Sequence, residues 1–366
     1  MLQITKSKAV VNNSADFKFK HQAVIELLKT KKADTLLLTS DQNRQWFTDF
    51  KGTFGFLFIT KTKSVLLTDA RYYEAACKTI KGTEVILYNS AKLVSEIAKK
   101  LKVKHLLIES EYLTYTYDAL IKEISEKQTI VETKLLRAAK TAAEIEKIKK
   151  VIDITAKVGN KLPEWIKPGM TEIDLAKKIT IELINAGGDK NSFDPIVASG
   201  PNGSSPHHHP TSRKMLSGDF VTCDFGTTYD GYCSDITRTW VVGNKPKNTR
   251  LINAYKTVDA SNTKGIQKAR AGIIGKDLDF VCRDYINQTE FAKFFVHGTG
   301  HGVGLDVHEL PNVSSGYDRE LMTNAVVTIE PGIYLPGIGG IRIEDMVLIK
   351  PKKSIWLSEK IKRLKL

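Results

Sequence analysis

At 366 residues the chain is long for one domain and comfortable for two, taking about 150 residues as a typical domain size. Its 42% hydrophobic and 26% charged residues are globular averages, which excludes disorder, collagen-like repeats and coiled coil, and apolar runs such as 54–59 fall far short of the roughly 18 residues a membrane span needs. The formal charge of +14 raises nucleic acid as a partner, but most of it comes from residues 1–150, with 27 Lys and Arg against 17 Asp and Glu, and no finger spacing, RNP-type motif or long basic run accompanies it, so Lys-rich solvated helix faces are the expected source.

The amino-terminal MLQITKSKAVVNN lacks the apolar segment of a secretory leader, and Cys77, Cys223, Cys233 and Cys282 form neither a disulfide framework nor a CxxC pair, so a reducing, cytoplasmic setting is expected. From residue 33 to about 110, short apolar runs at 35–39, 55–60, 65–68, 85–88 and 105–109 alternate with helical stretches at 71–80 and 91–100, the pattern of an α/β layer domain. The Gly52-Thr53 step and the Lys61-Thr62-Lys63 turn set off the second and third runs, which should form a hairpin. Thr141 followed by Glu144 is a capping-box pattern, and Ile145, Ile148, Ile152 and Thr155 recur at helical spacing behind it. This helix opens a second domain, so the expected division is 1–135 and 136–366. Pro168-Gly169 breaks the chain, a helix at 171–186 ends at Gly187-Gly188, and beyond Phe193 the sequence is rich in strands and turns, with further helices at about 251–269 and 278–287. The fold class is α/β (α+β).

Six of the eight histidines, His207, His208, His209, His297, His301 and His308, fall within about a hundred residues, and imidazole is the commonest metal ligand and acid/base near neutral pH. Asp224 and Asp235 lie on two apolar segments joined by the hairpin signal Tyr229-Asp230-Gly231, which brings two carboxylates together. They are either solvated strand-end residues or, since paired carboxylates raise each other's pKa, partners of a cation. Glu330 and Glu344 repeat the arrangement across the turn at 336–340, each inside an apolar run where a carboxylate is costly unless paired or metal-bound. Between the pairs, His297, His301 and His308 are spaced by small residues. Four carboxylates and one histidine are too many for a tetrahedral zinc, and oxygen-rich sets suit harder ions such as manganese, so two ions fit the count.

The run HGTGHGVGLDVHE at 297–309 resembles the signature of proline peptidases, and FDPIVASGPNGSSPHHHP (193–210), VTCDFGTTYDGYCSDITRT (221–239) and TIEPGIYLPGIGGIRIED (328–345) are similar to the other blocks of the same family. The chain is identified as a member of the Xaa-Pro aminopeptidases and Xaa-Pro dipeptidases of the pita-bread metallopeptidases. Its earlier segments DTLLLTSDQNRQWFTDFKGTFGFLFI and TDARYYEAA resemble their creatinase-type N-terminal domain. The resemblance implies metal ligands Asp224, Asp235, His301, Glu330 and Glu344, with Asp235 and Glu344 shared by two divalent ions, Mn2+ foremost and Co2+ or Zn2+ as alternatives. It implies Glu330 as proton shuttle, His207 as a substrate contact, and His297 and His308 as substrate contacts that stabilise the tetrahedral oxyanion. Arg342 would orient the neighbouring bridging Glu or the substrate, with an ordinary strand-edge ion pair as the plainer reading. His308, His297 and residues near Tyr334 would wall the proline pocket, and His208 and His209 have no assigned role.

The implied reaction is metal-dependent hydrolysis of an N-terminal Xaa-Pro bond, with peptides carrying proline in the second position as substrates, a homodimer as assembly, and no membrane or nucleic-acid partner. The complete ligand set argues against a non-catalytic peptide- or nucleic-acid-binding relative and against creatine amidinohydrolase, and the creatinase-type domain argues against methionine aminopeptidase. Aminopeptidase is preferred to Xaa-Pro dipeptidase (prolidase), which needs a basic residue for the free carboxylate of proline.

Overall fold

The computed structural model describes residues 11–243 and 245–366, in two compact units, the first ending at Arg137 and the second running from Ala138 to Leu366. The first ten residues of the stretch read for a leader lie outside the described residues, and no helix among the described residues is long and apolar enough to cross a membrane.

The first unit is built on a six-stranded mixed sheet of β1 (Thr35–Leu38), β2 (Phe56–Thr60), β3 (Ser64–Thr68), β4 (Glu84–Leu87), β5 (His105–Glu109) and β6 (Lys127–Val131), in the order β4-β3-β2-β1-β5-β6. β2 and β3 form the expected antiparallel hairpin, whereas β1 pairs β5 in parallel. Every residue of β1, β3 and β5 is buried, as befits strands covered on both faces, and their side chains pack with Leu93, Val94 and Ile97 of the helix Ala91–Leu101. Among the elements without a clear sequence signal are two helices and an edge strand. The helix Ala15–Thr30 buries only Lys20, Val24 and Leu28, with Lys20 bonded to Asp16, so its inward stripe includes a lysine. The edge strand β6 leaves Ile130 exposed and has no apolar run, and the helix Asp41–Thr48 is mostly polar yet buries Asn43 and Arg44. The buried Glu109 carboxylate explains the last case: it accepts hydrogen bonds from Thr39, Ser40 and the Asn43 amide.

In the second unit the expected capping box of Thr141 with Glu144 forms ahead of the helix Ala142–Gly159, and a second one, Thr171 with Asp174, precedes Glu172–Asn185. The two later helices, Thr249–Lys268 and Gly275–Asn287, start a few residues before their apolar patterns. The strands are β7 (Ile196–Ser199), β8 (Phe220–Phe225), β9 (Thr228–Tyr229), β10 (Tyr232–Cys233), β11 (Ile236–Val241), β12 (Gly300–Gly302), β13 (Glu309–Val313), β14 (Val326–Ile329), β15 (Gly332–Leu335), β16 (Gly339–Arg342), β17 (Asp345–Leu348) and β18 (Ile355–Trp356). They form a sheet β11-β8-β7, a sheet β13-β12-β14-β17-β18, and the ribbons β9/β10 and β15/β16. β16 lies so close to the turn after β7 that a Cβ on Gly340 would stand 1.9 Å from the carbonyl oxygen of Gly203. Only glycine permits that approach.

Candidate active site

Two hairpins and one short strand deliver the acidic residues. Asp224 lies on β8 opposite Thr237 of β11, and Asp235 immediately precedes β11. The chain reverses between them at Asp230 (φ 50°) and Gly231 (φ 84°), as the turn signal required. Ile329 of β14 pairs with Asp345 of β17, so Glu330 and Glu344, one residue beyond each, face each other at the end of that ladder. His301 sits in β12, next to β14.

These elements converge. Asp224, Asp235 and Glu344 bring ligand atoms within 4.8 Å of one another, as do His301, Glu330 and Glu344, and Asp235, His301 and His308. The His301 Nε2 is 3.5 Å from an Asp235 oxygen and 3.4 Å from a Glu330 oxygen. Its Nδ1 is 3.1 Å from the Gly302 carbonyl oxygen, which only accepts, so the proton sits on Nδ1 and the Nε2 lone pair faces the carboxylates. Burial and then the neighbouring His308 push the His301 imidazole down to about 3, leaving it neutral.

Burial and mutual repulsion raise the carboxylates. Glu330 is pushed up to about 8, by burial against the opposing pull of Arg342, while Asp235 and Glu344 rise well above the usual range through burial and the surrounding acids. Asp224 Oδ1 is buried with no hydrogen-bond partner. Such a cluster is costly with one guanidinium as counter-charge. The donor set, one imidazole nitrogen and carboxylate oxygens, is the chemistry that holds hard divalent cations, and two of them offset four carboxylate charges. The residues therefore fit a paired-metal centre.

Behind the carboxylates runs a directed hydrogen-bond chain. Arg342, buried, donates to Asp224 at 2.8 Å and to the Tyr334 hydroxyl at 2.9 Å. His297 Nδ1 donates to the Gly298 carbonyl at 2.8 Å. Burial and then Arg342 lower that imidazole to about 4, so its Nε2 accepts from the Tyr334 hydroxyl at 2.8 Å. Two expectations change. Arg342 grips Asp224, not the adjacent Glu344, and it is no strand-edge pair. Tyr334 itself is buried behind His297 and Arg342, which line the cavity. Both His297 nitrogens are engaged, so that residue lines the cavity without a spare donor for an oxyanion.

The sequence pattern of metallopeptidase family M24 matches residues 146–351, and that of the creatinase/prolidase N-terminal domain matches residues 20–167. The chain belongs to metallopeptidase family M24. A Mycoplasma pneumoniae protein provisionally named an Xaa-Pro aminopeptidase is 53% identical over 92% of this chain and 96% of its own length. An Xaa-Pro dipeptidase of Pyrococcus horikoshii is 34% identical over 93% and 97%. Among solved structures, an Xaa-Pro dipeptidase from Bacillus anthracis superposes with TM-score 0.91 at 34% identity, covering 95% of this chain and 99% of that one. The X-Pro aminopeptidase from Thermotoga maritima superposes at 0.82 with 32% identity, covering 89% and 96%.

Several residues that hold the site of this M24 peptidase in place escape a reading of motifs. Asp279 accepts from the Thr299 amide and hydroxyl and from Arg283, which donates to the Phe295 and His297 carbonyls, so one helix fixes the loop leading to His301. Lys140 and Glu309 form a fully buried ion pair beside His308. Asp345, next to Glu344, accepts from Arg238, Arg363, Ser358 and Trp356. Asp345 was the most detectable of these, since it is an acid in the same apolar run as Glu344.

Two adjoining cavities open on the centre. One, of about 300 Å³, is lined by His207, His297, His308, Asn312 and Arg342 as well as the carboxylates, and the other, of about 240 Å³, by Phe193, Pro195, Ile196, Val307 and all three of His207, His208 and His209. Glu172, fully buried at the start of its helix, anchors the strip that carries the histidines. Burial raises its carboxyl, but hydrogen bonds from His208, Ser199 and Thr211 outweigh that and bring it down to about 2. A depressed carboxylate stabilises the fold above its unfolded value near 4.5 and loses that contribution as the pH falls toward 2. Glu172→Gln should therefore cost about 3 kcal/mol at pH 7 and flatten the fall in stability between pH 4.5 and 2. Urea unfolding of both proteins across that range measures it, and parallel curves for the two would refute the assignment.

Proposed function

We propose that this M24 peptidase is an Xaa-Pro aminopeptidase, hydrolysing the bond between a peptide's first residue and a proline in second position. Asp224, Asp235, His301, Glu330 and Glu344 would hold two divalent ions, Mn2+ in the cell, with Asp235 and Glu344 shared; the enzyme would act in the cytoplasm as a homodimer. The domain division proposed is a creatinase-type module of residues 1–135 and a pita-bread catalytic domain of 136–366. When bound, the ions supply Lewis acidity toward the scissile carbonyl and make water a nucleophile near neutral pH. Glu330 would take a proton from the attacking water and pass it to the proline nitrogen, which as a tertiary amide has no N–H and departs only once protonated. His207 and His308 contact the substrate and the developing oxyanion, while His297 and Arg342 set the walls.

Support for an aminopeptidase over a dipeptidase comes from one observation. Among the described residues lining the two cavities, Arg342 is the sole Lys or Arg, and each of its three nitrogens already donates, to Thr237, to Pro206 and Tyr334, and to Asp224. A proline carboxylate would meet no uncommitted cation there, whereas a longer peptide brings a neutral amide. The names of the Pyrococcus and Bacillus relatives favour the second reading, Xaa-Pro dipeptidase. Purified enzyme with Mn2+ should cleave Xaa-Pro-Yaa-Yaa with kcat/KM about tenfold or more above that for Xaa-Pro, the scale of one unpaired buried group. Cleavage of the dipeptide alone would establish the second reading. No cleavage of either, with two ions bound, would sink both.

A further inference from the structure

The function read above uses His207 but leaves Glu172 and His208 without a part. The strip of chain from Ser199 to Thr211 is irregular after a short 3-10 turn, and irregular backbone does not by itself hold a side chain to the tolerance that catalysis needs. Here it is pinned by one anion. Glu172 Oε1 accepts from the Ser199 amide and hydroxyl, both at 2.7 Å, and from Asn202 at 3.0 Å. Its Oε2 accepts from the Thr211 amide at 3.0 Å, the Thr211 hydroxyl at 2.7 Å and His208 Nε2 at 2.9 Å. On the other side, Arg342 donates to the Pro206 carbonyl at 3.2 Å, and Gly203 presses on Gly340. His207 is thus the single residue between a backbone carbonyl fastened by Arg342 and a side chain fastened by Glu172.

We propose that Glu172 and His208 are a positioning pair that fixes His207 against the substrate, and that the second histidine of the His207-His208-His209 run serves as an anchor. The proposal rests on His207 being a substrate contact. Three features favour an anchor over a second contact. The His208 Nε2 is committed to the Glu172 carboxylate. The His208 side chain is 14% exposed and borders only one cavity, whereas His207 lines both. All the donors that Glu172 collects beyond its own helix belong to the strip, so its charge organises that strip and nothing else.

The test is a cycle of variants in the Mn2+-loaded enzyme. His208→Leu should lower kcat/KM for Xaa-Pro-Yaa-Yaa about tenfold or more, mainly through KM, which is the scale found for residues that orient a contact from behind. His208→Gln, whose amide can still donate to Glu172, should recover activity to within about threefold of the parent. Metal affinity, measured by titration of the metal-free protein, should stay within about twofold for both, because neither residue touches a carboxylate of the centre. In a His207→Ala background, His208→Leu should have no further effect, since a positioning residue acts only through the residue it positions. A full additional loss in that background, or equal kcat/KM for the Leu and Gln variants, would overturn the proposal. An unaltered kcat/KM for His207→Ala alone would instead overturn the role of His207, and with it the premise.

Discussion

Asp235→Ala is expected to abolish stoichiometric metal uptake and to lower turnover about a thousandfold or more, the several kcal/mol that a two-metal clamp supplies to a transition state. The size follows from its place in the cluster. Asp235 belongs both to the group with Asp224 and Glu344 and to the group with His301 and His308, and together with Glu344, which also belongs to two groups, it ties the acidic residues to the histidine side of the cluster. Its removal leaves too few donors for a second ion. The fold should survive, because Asp235 is a burden to the metal-free protein: burial and then Asp224 and Glu330 raise its carboxyl far above the aspartate range. The metal-free variant should therefore be at least as stable to urea as the metal-free parent. Retained turnover with two bound ions would remove Asp235 from the ligand set, and a metal-free variant less stable than its parent would contradict the electrostatic account.

Asp345→Ala should cause the largest loss of stability. Its carboxylate is buried and receives two guanidinium groups, Arg238 at 2.8 Å and Arg363 at 2.5 Å, together with Ser358 and Trp356. Removing Asp345 leaves the buried Arg238 without a carboxylate, while Arg363 keeps Asp259, at a cost of about 3–5 kcal/mol. For a unit of this size that corresponds to a fall of about 10 °C in Tm. The effect should also reach the metal centre. Arg238 donates to the Glu344 carbonyl and to that of Thr237, stitching the strand of Asp235 to the strand of Glu344, and Asp345 holds Arg238 in place. Metal affinity should drop about 10–100-fold, as for other residues that orient ligands from behind. Calorimetry and metal titration read the two effects separately. Unchanged affinity in a destabilised protein would limit Asp345 to the fold.

Parts of this arrangement are legible in the sequence alone. The strands β1 to β5 stand within a residue or two of their apolar runs, and the helix after Thr141 starts where its capping box puts it. The elements that escaped notice fail the same local tests for a reason. The helix Ala15–Thr30 turns a lysine inward and β6 turns an isoleucine outward, so neither shows the periodicity that burial normally imposes. At the site, the carboxylates announced themselves as charges inside apolar runs, and the hairpin turns announced which of them would meet. Nothing of that kind marks Lys140, whose partner Glu309 lies 169 positions away, or Glu172, whose carboxylate takes its hydrogen bonds from a strip 27 to 39 positions on.

Patterns of period 2 and 3.6, turn residues and capping pairs are local properties, and from them the sequence by itself determined the main elements, the acidic and histidine residues of the centre and the family they resemble. The tertiary structure alone decided which partner each polar group takes. It gave Arg342 to Asp224 instead of Glu344, spent both nitrogens of His297, and set the Tyr334 hydroxyl between His297 and Arg342. A buried donor or acceptor must be satisfied by whichever group the register and the crossovers bring within about 3 Å, and that choice is made between strands far apart in the chain.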